Sequence, residues 1–582
     1  MKKISFAVLL AAAGLSVAPG LASAAGVAYP DANWSEASIP SADGVSLHPD
    51  VLLPKGLAAG EKVPAIISIG PYFNHSGQTG ATCAIEGCTY DPVGPNAGPS
   101  ERFQDFVEGA KLLTRDKKYA FIMVDLRGFG GSTGCLDWGG PGEQADVVSA
   151  VSWAASQPWS TGAVGTYGKS YDGMTGLMGA ASRPDGLKAV VAQEPVYDDY
   201  RYLYGDGMRR LNSVATPALY DSIAITPGPL ADTQNPTYNV FGSTENATRP
   251  GCFAANFADQ QNDDHYSSFW RVRDIINNVK GSNVPLFVTQ GMTENNTAPD
   301  GIAEYLTNHT GPERGWLGPW NHVRGAEMDG AKLAMGRQGW YDEVLSFYDE
   351  YLYGIAPTKN YAPFAIQSVT SGKWRPEASW PPADATRTKI ADLTPGTYND
   401  DASGSKTSND GIWTVSKPLP YDVFTAGAGQ VKVDVSAAAP RANLVADLYD
   451  LDASGKGPLV AKQGSLIRNN GTVTLNLMSA DWKFAKGHRI GVRITSNNSD
   501  WWVAAIPTNQ DVTVYGGEIS LPTLTYSRPQ VIQGDSGTTR GAYMGATATA
   551  PADAVKNAVD FTLPPALVAQ TDAMKAQLDS FQ

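Results

Sequence analysis

Charge is scarce in this chain of 582 residues: Asp, Glu, Lys and Arg make up 18% of it, against the quarter usual in globular proteins. The net charge is −14, and no cluster of Lys and Arg occurs beyond the first few residues. A nucleic-acid backbone needs such clusters, so nucleic acid is excluded as a partner. Long apolar runs are missing too, apart from residues 6–15, so the rest of the chain offers no membrane helix. Cysteine is confined to Cys83, Cys88, Cys135 and Cys252. Without tight C-x-x-C pairs or neighbouring His ligands, these four do not describe a zinc site. Only six histidines are present, which narrows the search for any general base.

What is there begins with a secretion signal. Lys2 and Lys3 precede the short apolar run, and Ala22-Ser23-Ala24 is a small-residue cleavage site, so residues 1–24 are read as a signal peptide. The mature protein is then secreted or periplasmic, with no membrane contact. Four cysteines in an exported chain predict disulfides, and Cys83–Cys88 with Cys135–Cys252 is the expected pairing of the three possible.

A chain of this length exceeds one ordinary domain. Short apolar runs at residues 65–69, 119–124, 163–167, 187–192 and 285–289 suit strands buried on both faces. Helix-like stretches lie between them, as at 143–155, where Val147, Val148, Val151 and Ala154 share a face. Strand–helix alternation predicts a parallel sheet wrapped by helices over residues 25–375. The alternation breaks between about 200 and 280, which reads as an inserted helical cap. After Trp374-Arg375-Pro376 and Trp380-Pro381-Pro382 the period becomes two: Val431, Val433 and Val435, then Ile490, Val492 and Ile494. Residues 376–582 are therefore expected to form a β-sandwich of jelly-roll type with a tail. Asp450-Leu451-Asp452-Ala453-Ser454-Gly455 lacks the twelfth-position Glu of a calcium loop and reads as a hairpin turn.

Gly168-Lys169-Ser170-Tyr171-Asp172-Gly173 follows one strand-like run and opens a helix-like one. A serine at such a strand-to-helix turn is a nucleophile elbow: small residues let the backbone bend, and the helix N-terminus favours developing negative charge. A phosphate loop would need Gly at position 163, where Ala163 stands. The base should follow the last strands of the sheet. His322, after Gly318-Pro319-Trp320-Asn321, fits better than His309 or His488. The acid should lie just past the preceding strand; Glu294 is favoured, with Asp300 as its rival. Oxyanion donors are the Tyr171 N–H and Tyr72, which follows the first apolar strand.

The elbow, the segment Asp125-Leu126-Arg127-Gly128-Phe129-Gly130-Gly131-Ser132, and Gly318-Pro319-Trp320-Asn321-His322 together resemble the Xaa-Pro dipeptidyl-peptidase family, which includes cocaine-esterase-like acyl hydrolases. Gly487-His488-Arg489-Ile490 resembles a strand of that family's jelly roll. The likeness spans roughly residues 40 to 560. It implies an α/β-hydrolase domain with inserted cap plus a C-terminal jelly roll, with Ser170 as nucleophile, His322 as base, and Tyr72 and Tyr171 as the oxyanion hole. Family members usually carry Asp where this chain has Glu294. The expected activity is release of N-terminal dipeptides through an acyl-enzyme, or ester hydrolysis with the same triad. A peptidase of this kind needs an acidic anchor for the substrate's free amine, and Glu194, Asp198 and Asp199 are the candidates. No cofactor or metal is implied; the partner is a small peptide or ester, and the oligomeric state is left open.

Overall fold

A computed structural model describes residues 29–73, 99–100, 102–225 and 250–581. The expected signal peptide and the Cys83–Cys88 pair lie outside the described residues. Ten strands build the main sheet: β1 (Ala32–Glu36), β2 (Pro49–Pro54), β3 (Val63–Gly70), β4 (Ala120–Asp125), β5 (Ser160–Lys169), β6 (Leu187–Gln193), β7 (Leu286–Gly291), β8 (Glu313–Gly318), β9 (Phe364–Gln367) and β10 (Trp374–Glu377). Their spatial order is β1-β2-β4-β3-β5-β6-β7-β8-β9-β10. From β4 through β9 every neighbour is parallel, so all their carboxyl ends reach one edge. The sheet continues through β10 to Glu377, and the next strand begins at Thr386.

The apolar runs form strands because helices cover both faces. Along β3, Ala65, Ile67 and Ile69 enter one core, shared with Val147 and Val151 of α2 (Pro141–Ser156) and Leu177 of α3 (Tyr171–Ser182). Ile66 enters the opposite core with Phe106 of α1 (Gln104–Gly109), Phe121 and Phe347. Alternation at period two thus serves two apolar layers, and the strand has no polar face.

Between β6 and β7 the inserted segment carries α4 (Asp199–Leu203), α5 (Thr216–Ile225), α6 (Pro250–Gln260) and two short helices. It also contains a strand pair: Met208–Arg210 pairs with Tyr204–Gly205 on one side and with Trp502–Val503 of the C-terminal domain on the other. Met208, Ala298, Val445, Leu466, Met478 and Trp502 form a core common to the insert, the hydrolase domain and the C-terminal domain. Cys135 and Cys252 are disulfide-bonded, joining the loop before α2 to α6 in the expected pairing.

The C-terminal domain is a sandwich of antiparallel sheets. In one, Gln430–Ala437 lies between Gly471–Asn476 and Asp511–Thr523. In the other, Ala442–Leu451 lies between Lys456–Ile467 and Arg489–Thr495. Val431, Val433 and Val435 face Ile490, Val492 and Ile494 across a single core. Asp452 turns the connecting hairpin, accepting the N–H groups of Ser454 and Lys456. Among the described residues no helix is long and apolar enough to cross a membrane.

The antiparallel edge is fastened by one imidazole. His48 Nδ1 lies 3.0 Å from Asp125 Oδ2 at the end of β4, and its Nε2 lies 2.7 Å from Glu36 Oε1 at the end of β1. Burial opposes the charge on His48, but the hydrogen bonds to Asp125 and Glu36 outweigh it and lift the pKa from 6.5 to about 9. A raised folded pKa means the stabilisation is complete below about 6.5 and lost as pH rises through about 9. The bound on its size is about 3 kcal/mol. Urea midpoints should therefore fall between pH 7 and 10 in the native protein, and that slope should flatten in His48→Gln.

Candidate active site

The elbow is built by its backbone. Ser170 directly follows β5 with φ 65° and ψ −122°, a left-handed conformation that a non-glycine residue adopts at a cost of about 1–3 kcal/mol. Gly168 makes the turn feasible: a Cβ there would meet the backbone oxygen of Asp172, in the first turn of α3, at 2.3 Å. Ser170 N–H donates to Gln193 O at 2.9 Å, fixing the elbow to the end of β6. Met174 N–H is bonded to Ser170 O, so the Tyr171 N–H at the start of α3 has no intrahelical acceptor and is free for an oxyanion.

His322 reaches this edge on a segment that folds back from β8. Gly291 lets it pass, since a Cβ there would lie 2.2 Å from Trp320 O. Met292 N–H donates to Gly318 O at 2.7 Å, and the Thr293 hydroxyl to Trp320 O at 3.3 Å. Farther along, Gly325 N–H donates to Gln193 Oε1 at 2.9 Å. The residue whose carbonyl holds Ser170 therefore also holds the far end of the histidine segment.

Glu294 and His322 meet directly. His322 Nδ1 lies 2.6 Å from Glu294 Oε1, and the same oxygen accepts Thr297 N–H at 3.1 Å and the Thr297 hydroxyl at 2.9 Å. Burial pushes the Glu294 pKa up, but the charge and hydrogen bond of His322 prevail and hold it below the usual carboxylate range. His322 Nε2 is buried without a hydrogen-bond partner, leaving the proton-accepting nitrogen available. The rival acid is committed elsewhere: Asp300 pairs with Arg210 and with Arg201, at the junction of insert and C-terminal domain. The other candidate bases are also occupied. His309 bridges Glu313 and Val284 O, and His488 bonds Asp450.

Tyr72 follows β3, and its phenol hydrogen-bonds that of Tyr220 on α5, with Arg102 stacked 3.9 Å over its ring. Tyr220 packs against Tyr171 (5.3 Å between centroids) and Trp138 (5.5 Å), an aromatic cluster that includes the residue after Ser170. The Tyr171 phenol donates to Glu143 Oε2 at 2.8 Å. Burial lifts Glu143 to about 7, and its bonds to Gly139 N–H and Asp137 N–H shape the loop carrying Trp138.

The three candidate amine anchors have different surroundings. Glu194 is fully buried beneath Glu294 and accepts four donors. Asp198 caps α4 through Arg201 N–H and lies 3.7 Å from His265. Asp199, also buried, keeps Oδ2 without a partner, close to Gly139. Sequence reasoning missed Trp138, Glu143, Tyr220 and Asp221. The Asp221 carboxyl is 3% exposed, its Oδ2 has no hydrogen-bond partner, and burial lifts it to about 6, opposed by the neighbouring Trp138 indole. Tyr220-Asp221 lies in the insert, where neither helical nor strand periodicity marked a functional face.

Comparison with known proteins follows the same division of the chain. The family described as X-Pro dipeptidyl-peptidase (S15 family) matches residues 43–324, and the X-Pro dipeptidyl-peptidase C-terminal non-catalytic domain matches 357–537. A Streptomyces avermitilis protein, provisionally named a Xaa-Pro dipeptidyl-peptidase, is 25% identical over 445 residues, covering 69% of this chain and 61% of its own length. The cocaine esterase of a Rhodococcus species is 24% identical over 437 residues, covering 67% of this chain and 69% of the esterase. In fold, the chain is similar to a CocE/NonD family hydrolase from Staphylococcus aureus: TM-score 0.62, 15% identity, 84% of this chain and 93% of that one.

Replacing Glu294 by Gln should lower kcat by about 10⁴-fold, since the imidazole loses the group that fixes its tautomer and offsets its charge. Asp300→Asn should leave kcat within a few-fold but cost about 3–5 kcal/mol of stability, because buried Arg210 loses its counter-ion. Steady-state kinetics and urea melts on both variants check the assignment.

Proposed function

Since the chain belongs to the X-Pro dipeptidyl-peptidase (S15) family, we propose that it is an exported serine hydrolase that releases N-terminal Xaa-Pro dipeptides. The observation that carries the chemistry is the buried Glu294–His322 pair on the sheet edge that presents Ser170 at its elbow. His322 Nε2 takes the Ser170 proton as Oγ attacks the carbonyl carbon. The oxyanion accepts hydrogen bonds from the Tyr171 N–H and the Tyr72 phenol. The imidazolium then protonates the departing amine, and water repeats the sequence on the acyl-enzyme to free the dipeptide. No hydrogen bond joins Ser170 Oγ to His322 in the free enzyme; such bonds commonly tighten only with substrate present.

Specificity for a free N-terminus needs a buried anion without a partner. Asp199 and Asp221 each keep an Oδ2 without a hydrogen-bond partner beside the Trp138 loop, and burial raises both pKa values, Asp199 well above the usual carboxylate range, so each ionises fully only on meeting a cation; Glu194 is spent on protein donors and Asp198 on its cap. The Cys135–Cys252 bond supports export, because such bonds persist in oxidising compartments. The second reading, an esterase with the same triad, is favoured by the relative named cocaine esterase.

Rates on Ala-Pro anilide, its N-acetylated form and a short aryl ester separate the readings. The peptidase reading expects turnover of the free-amine anilide, loss of at least tenfold in kcat/KM on acetylation, and the same loss in Asp199→Asn or Asp221→Asn. Protonation of Asp221 below about pH 6 should raise KM for the free-amine substrate alone. Ester turnover without anilide turnover assigns the esterase. Activity surviving Ser170→Ala overturns both.

A further inference from the structure

Glu194 is a buried carboxyl for which the acyl-transfer steps have no use. It lies directly after β6 with φ 43°, a left-handed turn that carries its side chain under the catalytic acid. Its Oε1 accepts the Trp320 indole N–H at 2.8 Å and the Thr289 hydroxyl at 3.1 Å. Its Oε2 accepts Gly291 N–H at 2.6 Å. The Gln290 amide nitrogen spans the two carboxyls, 3.4 Å from Glu194 Oε2 and 2.9 Å from Glu294 Oε2. Sharing that one donor, the two carboxyl groups lie side by side, and a direct bond between them would require a proton on one of them.

We propose that Glu194 is a positioning residue: as the protonated partner of a carboxylic acid–carboxylate pair, it fixes Glu294 against His322 and locks the acid to the histidine segment. This rests on the triad proposed above. The assignment of the proton follows from the partners. Glu294 faces the imidazole and needs its charge there. Glu194 faces only neutral donors, and among the described residues no Lys or Arg forms an ion pair with either carboxyl. The remaining titratable group against the pair is the Tyr197 phenol, buried without a hydrogen-bond partner and held protonated by burial and by both carboxyls. Burial and the nearby Glu294 charge both raise the Glu194 pKa, in the same sense. Two adjacent anions at this depth would each carry a large desolvation penalty and repel one another. A shared proton removes one charge and leaves a directional bond. Oε2, which shares the Gln290 donor with Glu294, is then the hydroxyl, its remaining lone pair accepting Gly291 N–H, and Oε1 is the carbonyl oxygen that accepts Trp320 and Thr289. Trp320 is the second half of the lock. It belongs to the segment that bears His322, so one carboxyl contacts the strand end before Glu294 and the segment carrying its partner.

The test compares Glu194→Gln and Glu194→Ala in the full chain. Each is assayed on both Ala-Pro anilide and an aryl ester, and by the rate of covalent labelling with a fluorophosphonate. Gln is neutral and retains a donor. The proposal expects it to keep kcat within about tenfold and to leave the acid limb of the kcat/KM profile in place. Ala should lower kcat and the labelling rate roughly 100-fold with KM unchanged, since a small misplacement of a catalytic group costs that much. A move of the acid limb by a unit to lower pH in Glu194→Gln would show that a second negative charge had been removed, and would overturn the proposal. So would wild-type kcat in Glu194→Ala. If Glu194→Ala does not fold, the Glu194→Gln profile alone decides. If the native protein hydrolyses the ester but not the anilide, the substrate reading fails, while the comparison of variants on the ester still tests the pair.

Discussion

Ser170 follows β5 and His322 follows β8, three strands away in the sheet, so roughly 14 Å separates the strand ends. The active edge depends on closing that gap. The closure is made by a segment that runs back over β7 and is held by Gln193 at the end of β6. Once that path is set, the acid must come from the strand it crosses. Glu294, just beyond β7, lies beneath the returning chain, where its carboxylate meets Nδ1. The extra methylene of Glu over Asp lengthens that reach and adds a rotatable bond. Gln290 and Thr297 restrain it.

Buried acids are handled in two ways around this edge. Glu143, Glu194 and Glu294 are each surrounded by donors, so burial is offset by hydrogen bonds even where it raises the pKa. Asp199 and Asp221 are buried with one oxygen left bare, a costly state for an ionised carboxyl, and burial raises the pKa of both. The acids of the first kind hold the framework of the site. Those of the second kind leave a demand that the protein itself does not meet.

Much of this was legible in the sequence, because it rests on local rules. Buried parallel strands read as continuous apolar runs, and the runs at 65–69, 119–124 and 187–192 lie within β3, within or beside β4, and within β6. Ser170 was marked by the elbow and His322 by chain order. The choice between Glu294 and Asp300 was not legible: both follow β7 closely, and only the fold shows that Asp300 faces Arg210 while Glu294 faces the imidazole. Glu194 read as a candidate amine anchor just past a strand end, but its left-handed turn sends it into the interior, where protein donors take both oxygens. Tyr220 and Asp221 sit in the insert, where contacts are long-range and no periodicity precedes them. The strand pairing of Met208–Arg210 with Trp502–Val503 joins segments almost three hundred residues apart, beyond the reach of any local pattern.

That pairing also bears on heredity. Met208, Leu466 and Trp502 share one apolar core, and the insert closes its β-ribbon only with a strand from the other domain. A hydrolase segment copied alone into another gene would carry an open strand edge and an uncovered apolar surface, both of which invite aggregation. The two domains are therefore poor units for exchange, and the architecture is expected to pass through a lineage as a single block.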